Sequence, residues 1–151
     1  MTGHAAARVL IVDDDAANRS VLRLACETVG VDVVEAGTGA VALERAGAGG
    51  LALILLDLGL PDISGLEVCR RLRRAGVATP IIVVSAYSGP DQVEIGLAAG
   101  ADDYIGKPYR LATLLARIQV HARPVDDRVQ LPGVPALRRP ARRPRRHELI
   151  P

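Results

Sequence analysis

The chain has 151 residues, 49% of them hydrophobic, and a formal net charge of +2, which leads to the expectation of one domain able to bury a core. Its three aromatic residues are all tyrosines, which argues against nucleic-acid binding by stacking bases on aromatic platforms. Apolar runs such as Leu51–Leu56 fall far short of the ~20 residues that span a bilayer.

The N-terminus reaches an apolar stretch at Val9–Val12 and then three aspartates, which is no signal peptide. Cys26 and Cys69 stand at no metal-ligand or disulfide-framework spacing, so they read as reduced core thiols. The expectation is a soluble cytoplasmic protein with no membrane partner. The net charge hides an asymmetry: residues 1–122 carry 11 basic and 14 acidic side chains, whereas residues 123–151 carry eight arginines against three acids. Six prolines fall between Pro124 and Pro151 with no apolar periodicity. Residues 1–122 therefore read as a compact acidic domain and residues 123–151 as a basic, proline-rich tail with little fixed structure.

In chain order, Arg8–Asp13 is a short β-rich apolar run, followed by a helical pattern over Asn18–Val29 with Val21, Leu22, Ala25, Cys26 and Val29 on one stripe. Val31–Glu35 reads as the second strand and Gly39–Ala46 as the second helix. Leu51–Asp57 is the third strand, followed by a helix over Leu66–Arg74 with Leu66, Val68, Cys69 and Leu72 inward. Pro80–Ser85 and Asp103–Gly106 are the last strands, followed by helices over Gln92–Ala99 and Leu111–Ala122. The final helix is expected to turn Leu111, Leu114, Leu115 and Ile118 inward. Strands that are apolar throughout suggest a sheet covered on both faces. Five strand–helix alternations predict an α/β sandwich on a parallel sheet with right-handed crossovers.

In such sheets ligands bind beyond the carboxyl ends of the strands. Four of these strands end in, or run into, chemistry: Asp13-Asp14, Asp57, Ser85 and Lys107-Pro108. Asp15 reads as the cap of the first helix. Lys107 is the only lysine among nineteen basic residues, which suggests a need for a compact ammonium rather than a planar fork. Three carboxylates at one edge repel one another. A hard divalent cation with oxygen ligands relieves that repulsion, and Mg²⁺ fits because it keeps several waters and bridges to phosphate. One carboxylate is then placed to attack phosphorus and form an aspartyl phosphate. Lys107 and Ser85 are the candidates to meet the phosphoryl oxygens.

Four stretches, LIVDDD (10–15), LILLDLGLPDISG (53–65), IIVVSA (81–86) and GADDYIGKP (100–108), resemble the receiver domain of bacterial two-component response regulators. The likeness covers about residues 6–122. It implies a CheY-like, flavodoxin-like (βα)5 fold with a parallel sheet in the order 2-1-3-4-5. It further implies Asp57 as phosphoacceptor, with Asp13, Asp14 and Asp57 and the Gly59 carbonyl holding Mg²⁺, or Mn²⁺ in its place. Ser85, Lys107 and the backbone of Ala86 would contact the phosphoryl group. Ser85 and Tyr104 would be the switch residues, and the Lys107–Pro108 peptide would be cis. Flavodoxins share the strand order but cradle a phosphate where this chain has three aspartates. Haloacid-dehalogenase phosphatases place their nucleophile in a DxDx(T/V) pattern that Asp13–Ala17 lacks.

The resemblance implies a phosphoacceptor for a sensor histidine kinase rather than an enzyme with a separate turnover substrate. The run KPYRLATLLARI (107–118) is most similar to the OmpR/PhoB subfamily, and DLGLPD to its KdpE branch. Those receivers dimerise through the face made by the fourth helix, fifth strand and fifth helix. Val93, Ile95 and Thr113 stand where that subfamily has charged partners, while Asp102, Asp103 and Arg117 remain to pair across such a homodimer. Residues 123–151 are too few for the subfamily's winged helix. Transcription regulation through DNA would therefore need an output domain outside these residues, or a weak contact through the arginine tail.

Overall fold

Three strands owe their place to runs that are apolar on both faces. In the computed structural model, which describes residues 7–122, β1 (Arg8–Val12), β3 (Leu53–Leu56) and β4 (Ile81–Ser85) are buried from end to end except for Arg8. β2 (Asp32–Ala36) and β5 (Asp103–Gly106) close the edges. All neighbours are parallel, in the order β2-β1-β3-β4-β5. The expected fold is the one observed, and the basic tail at 123–151 lies outside the described residues.

Alternation along the strands sorts the core into two layers. Leu10, Val12, Ile54, Leu56, Ile81 and Val83 face α2 (Gly39–Gly47) and α3 (Gly65–Arg74) through Ala42, Ala46, Val68, Cys69 and Leu72. Val9, Ile11, Leu53, Leu55, Ile82 and Val84 face α1 (Ala16–Thr28) and α5 (Leu111–His121) through Leu22, Ala25, Cys26, Leu114 and Ile118. α4 (Pro90–Ala98) buries only Gly96 of its own residues. Burial pushes the Cys26 thiol up to about 12 and the Cys69 thiol to about 11, so both remain neutral and unreactive.

Local chemistry sets the helix ends. Asp15, Thr38 and Ser64 cap α1, α2 and α3 through their side-chain oxygens, each accepting from an N–H that has no partner within the helix. α1 therefore begins two residues before the expected Asn18. α4 starts at Pro90, whose missing N–H costs nothing in the first turn. At the other end of α1, Gly30 takes φ +81° while Val31 N–H returns to the Cys26 carbonyl at 3.1 Å. Gly76 does the same after α3 at φ +86°, with Val77 N–H on Leu72 at 3.0 Å. These are left-handed caps that a side chain would strain.

Two inward assignments are corrected. Val21 is 51% exposed and Leu111 is 54% exposed. On α1 the sheet is met by the Leu22-Ala25-Cys26 stripe alone, and Val21 lies one helical step off it. Leu111 is the first residue of α5, beyond the edge of the core. Val29, Leu66 and Leu115 pack on the core but remain partly exposed.

Candidate functional site

The carboxyl ends of β1, β3, β4 and β5 meet at one edge of the molecule. Asp13 and Asp57 each lie one residue past a strand but are still held by the sheet. Asp13 N–H donates to the Ala36 carbonyl at 3.1 Å, and Asp57 N–H to the Val12 carbonyl at 2.9 Å. Lys107 N–H likewise donates to the Ser85 carbonyl at 2.8 Å. The functional side chains therefore project from backbone that the fold has already fixed.

Asp13, Asp14 and Asp57 each offer a carboxylate oxygen, and these atoms lie within 4.8 Å of one another. Asp13 is 1% exposed, Asp57 is half-buried and Asp14 is exposed. The Lys107 Nζ stands 3.2 Å from Asp13 Oδ2 and 3.9 Å from Asp57 Oδ2. The other Asp13 oxygen accepts from Asp15 N–H at 2.9 Å. An all-oxygen donor set with one side open to solvent fits a hard divalent cation.

Desolvation raises the Asp57 carboxyl above its ordinary value. The Lys107 ammonium pulls it down, the Asp13 charge pushes it up, and the backbone N–H groups of Gly59 and Leu58 stabilise the carboxylate. A carboxylate with a raised folded-state pKa costs stability above that pKa, and the cost vanishes below the unfolded value of about 3.9. Asp57→Asn is therefore expected to raise Tm by a few degrees at pH 7 in metal-free buffer. That gain should shrink toward zero as the pH falls below 4, as thermal melts across pH would show.

Ser85 is fully buried, and its Oγ accepts from Tyr87 N–H at 3.0 Å. Ala86 follows it at the exposed mouth, and Gly59 is exposed two residues past Asp57. The Lys107–Pro108 peptide is cis. The half-buried Tyr104 ring crosses α4 at Gly96, where an added Cβ would come within 2.8 Å of Tyr104 Cε2. Its hydroxyl donates to the Tyr87 carbonyl, and burial raises its pKa. A tyrosine thus joins β5 to the loop that follows Ser85.

Asp103 accepts from Arg117 at 2.6 Å and from its own neighbour Tyr104 N–H at 2.9 Å, with His121 Nε2 at 3.5 Å. Burial lifts its pKa, but these partners outweigh it and hold the carboxyl below its ordinary value. Asp102 is a correction. Expected beside Asp103 on a dimer face, it instead accepts from Arg73 and from Ile81 N–H, both at 2.9 Å, at the amino end of β4. Asp102 is committed within the chain.

Three residues were not signalled by the sequence. Arg73 also reaches the carbonyls of Gly100, Val77 and Thr79. Asp62 accepts from Gly39 and Ala40 N–H at 2.8 and 2.9 Å, tying the loop after Asp57 to the start of α2. Arg19 donates to the Asp13 carbonyl at 2.7 Å and to Glu35 at 2.8 Å. Each bridges separate elements, and only the folded chain brings its partners together.

The chain matches the family described as response regulator receiver domain over residues 9–119. It is 44% identical over 116 residues to the uncharacterized transcriptional regulatory protein YkoG of Bacillus subtilis, covering 76% of this chain and 50% of that protein. It is 41% identical over 123 residues to the response regulator MprA of Mycobacterium avium, covering 80% and 54%. The chain thus spans about half the length of the curated relatives it matches. A CheY-like receiver domain from Methanospirillum hungatei superposes with a TM-score of 0.71 at 32% identity, covering 77% of this chain and 93% of that one. With five strand–helix units in the same sheet order and three carboxylates under one lysine, this chain belongs to the response-regulator receiver-domain family.

Proposed function

We propose that this chain is the phosphoacceptor of a two-component phosphorelay and takes a phosphoryl group from a sensor histidine kinase onto Asp57. The observation that carries this is the cluster of Asp13, Asp14 and Asp57 carboxylates within 4.8 Å, with the Lys107 ammonium 3.9 Å from Asp57. An Asp57 carboxylate oxygen forms the new bond to phosphorus as the donor's N–P bond breaks, and the histidine, protonated on its other ring nitrogen, keeps that electron pair and leaves as a neutral ring. Asp13, Asp14, Asp57 and the Gly59 carbonyl would hold Mg²⁺, or Mn²⁺ in its place. The ion would supply charge neutralisation at the phosphoryl oxygens. Lys107, Ser85 and the Ala86 backbone would meet the same oxygens. No separate turnover substrate is proposed, and the location proposed is the cytoplasm.

The added charge of about −2 at this edge would draw Ser85 from the Tyr87 N–H and re-seat Tyr104. That would shift the α4-β5-α5 face between two existing states. A homodimer through this face is supported by the exposure of Ile95 (42%) and Leu111 (54%), whereas Asp103 and Arg117, expected to pair across it, pair with each other within the chain.

Intact-mass spectrometry after incubation with acetyl phosphate and Mg²⁺ tests the reading. The expected result is one Mg²⁺-dependent phosphoryl adduct on the wild type and none on Asp57→Ala. An adduct that survives the substitution, or no adduct on a wild type shown to bind Mg²⁺, would refute it.

A second reading is favoured by one observation: relatives of about twice the matched length include a transcriptional regulatory protein. In that reading the receiver controls DNA binding by an output domain outside these residues. For the 151-residue chain itself, the arginines of 123–151 would give at most a weak contact. Its DNA affinity should then fall steeply with salt, and a slope near zero removes that contact.

A further inference from the structure

We propose that Arg19 is a positioning residue for the divalent cation, fixing the peptide unit that joins Asp13 to Asp14. The inference rests on the phosphoacceptor reading above and adds a residue to it. The Asp13 carbonyl belongs to the peptide plane between the two aspartates, so its orientation sets the directions in which both side chains leave the backbone. Arg19 Nη1 donates to that carbonyl at 2.7 Å. The preceding peptide unit is fixed separately, by the Asp13 N–H donating to the Ala36 carbonyl at 3.1 Å. Without Arg19, the Asp13 carbonyl would lose this donor, and the unit joining the two aspartates would be freer to rotate.

The guanidinium is itself anchored. Its Nε donates to Glu35 Oε1 at 2.8 Å, and Glu35 Oε2 receives Arg23 at 2.7 Å. Arg19 is 21% exposed and lies against Gly37, where an added Cβ would come within 3.2 Å of Nη1. A planar fork that serves a carboxylate and a carbonyl at once is something an ammonium does not reproduce.

Charge and geometry predict opposite signs, which makes the proposal decidable. If Arg19 acts only as a positive charge near three carboxylates, removing it strengthens Mg²⁺ binding by Coulomb's law. If Arg19 orients the ligands, removing it weakens binding by about 10- to 100-fold, as loss of groups that support metal ligands typically does.

The measurement is Mg²⁺ affinity by isothermal titration calorimetry on the full chain, for wild type, Arg19→Met, Arg19→Lys and Glu35→Gln. Metal-free thermal melts would accompany each titration. The expected order of affinity is wild type, then Glu35→Gln, then Arg19→Lys, with Arg19→Met weakest if it folds. Should Arg19→Met fail to fold, Arg19→Lys decides, because it keeps the charge and loses the fork. Mg²⁺ affinity that is unchanged or higher in the arginine variants overturns the proposal, including the case where Tm alone falls. A wild type that binds no Mg²⁺ would instead remove the phosphoacceptor reading, and this inference with it.

Discussion

Lys107→Met is expected to slow formation of the phosphoryl adduct from acetyl phosphate by about 100-fold, the usual scale for losing one group that meets developing negative charge. Lys107 is the only cation paired with either Asp13 or Asp57 among the described residues, so no neighbouring group takes over. The same substitution acts on stability. Asp13 is 1% exposed and would keep the Asp15 N–H as its hydrogen bond while losing its counter-charge. Leaving the buried Asp13 Oδ2 without its Lys107 partner costs about 1–3 kcal/mol. A divalent cation would restore the lost charge balance, so the deficit should narrow when Mg²⁺ is added. Time-resolved intact-mass spectra and melts with and without Mg²⁺ would read both effects. An adduct rate equal to wild type would refute the role given to Lys107.

Ile54→Ala is expected to cost about 2–5 kcal/mol, the range for deleting a buried branched side chain and leaving a cavity. Ile54 is fully buried on the central strand, paired in register with Leu10 on one side and Ile81 on the other, so the walls of the cavity have little room to collapse. Against a total stability of about 5–15 kcal/mol, that is a large share, and it should lower Tm by roughly 10–20 °C. Val21→Ala provides the contrast. Val21 is 51% exposed and should change stability by no more than about 0.5 kcal/mol. Urea midpoints at constant m-value would separate the two. An Ile54→Ala midpoint matching that of Val21→Ala would overturn the assignment of β3 as the core of the sheet.

How much was legible follows from how far each signal reaches along the chain. Strand identity and sheet burial were visible because LIV, LILL and IIVV are apolar at every position before their polar ends, and only a doubly covered sheet hides both sides of a strand. The candidate site was visible because a parallel sheet delivers all its strand ends to one edge. Asp13, Asp57, Ser85 and Lys107 were therefore bound to converge once the order of elements was known. The cap at Asp15 was legible because its bond spans two residues.

Other features were set in three dimensions. Apolar spacing placed Val21 and Leu111 inward, but a helix meets the sheet along a stripe whose width depends on its neighbours. Spacing also does not show where the sheet ends. Asp102 looked available on the dimer face, yet Arg73 reaches it across 29 residues. Arg19 carried no local signal, because its partners at Asp13 and Glu35 come together only when β1 and β2 pair. The sequence by itself determined the strand–helix rhythm, the sheet and the residues at its carboxyl edge, since periodicity and strand ends are local. Tertiary structure alone decided which charges are spent within the chain and which residues hold the aspartates in place, since an ion pair between distant segments depends on the packing that brings them together.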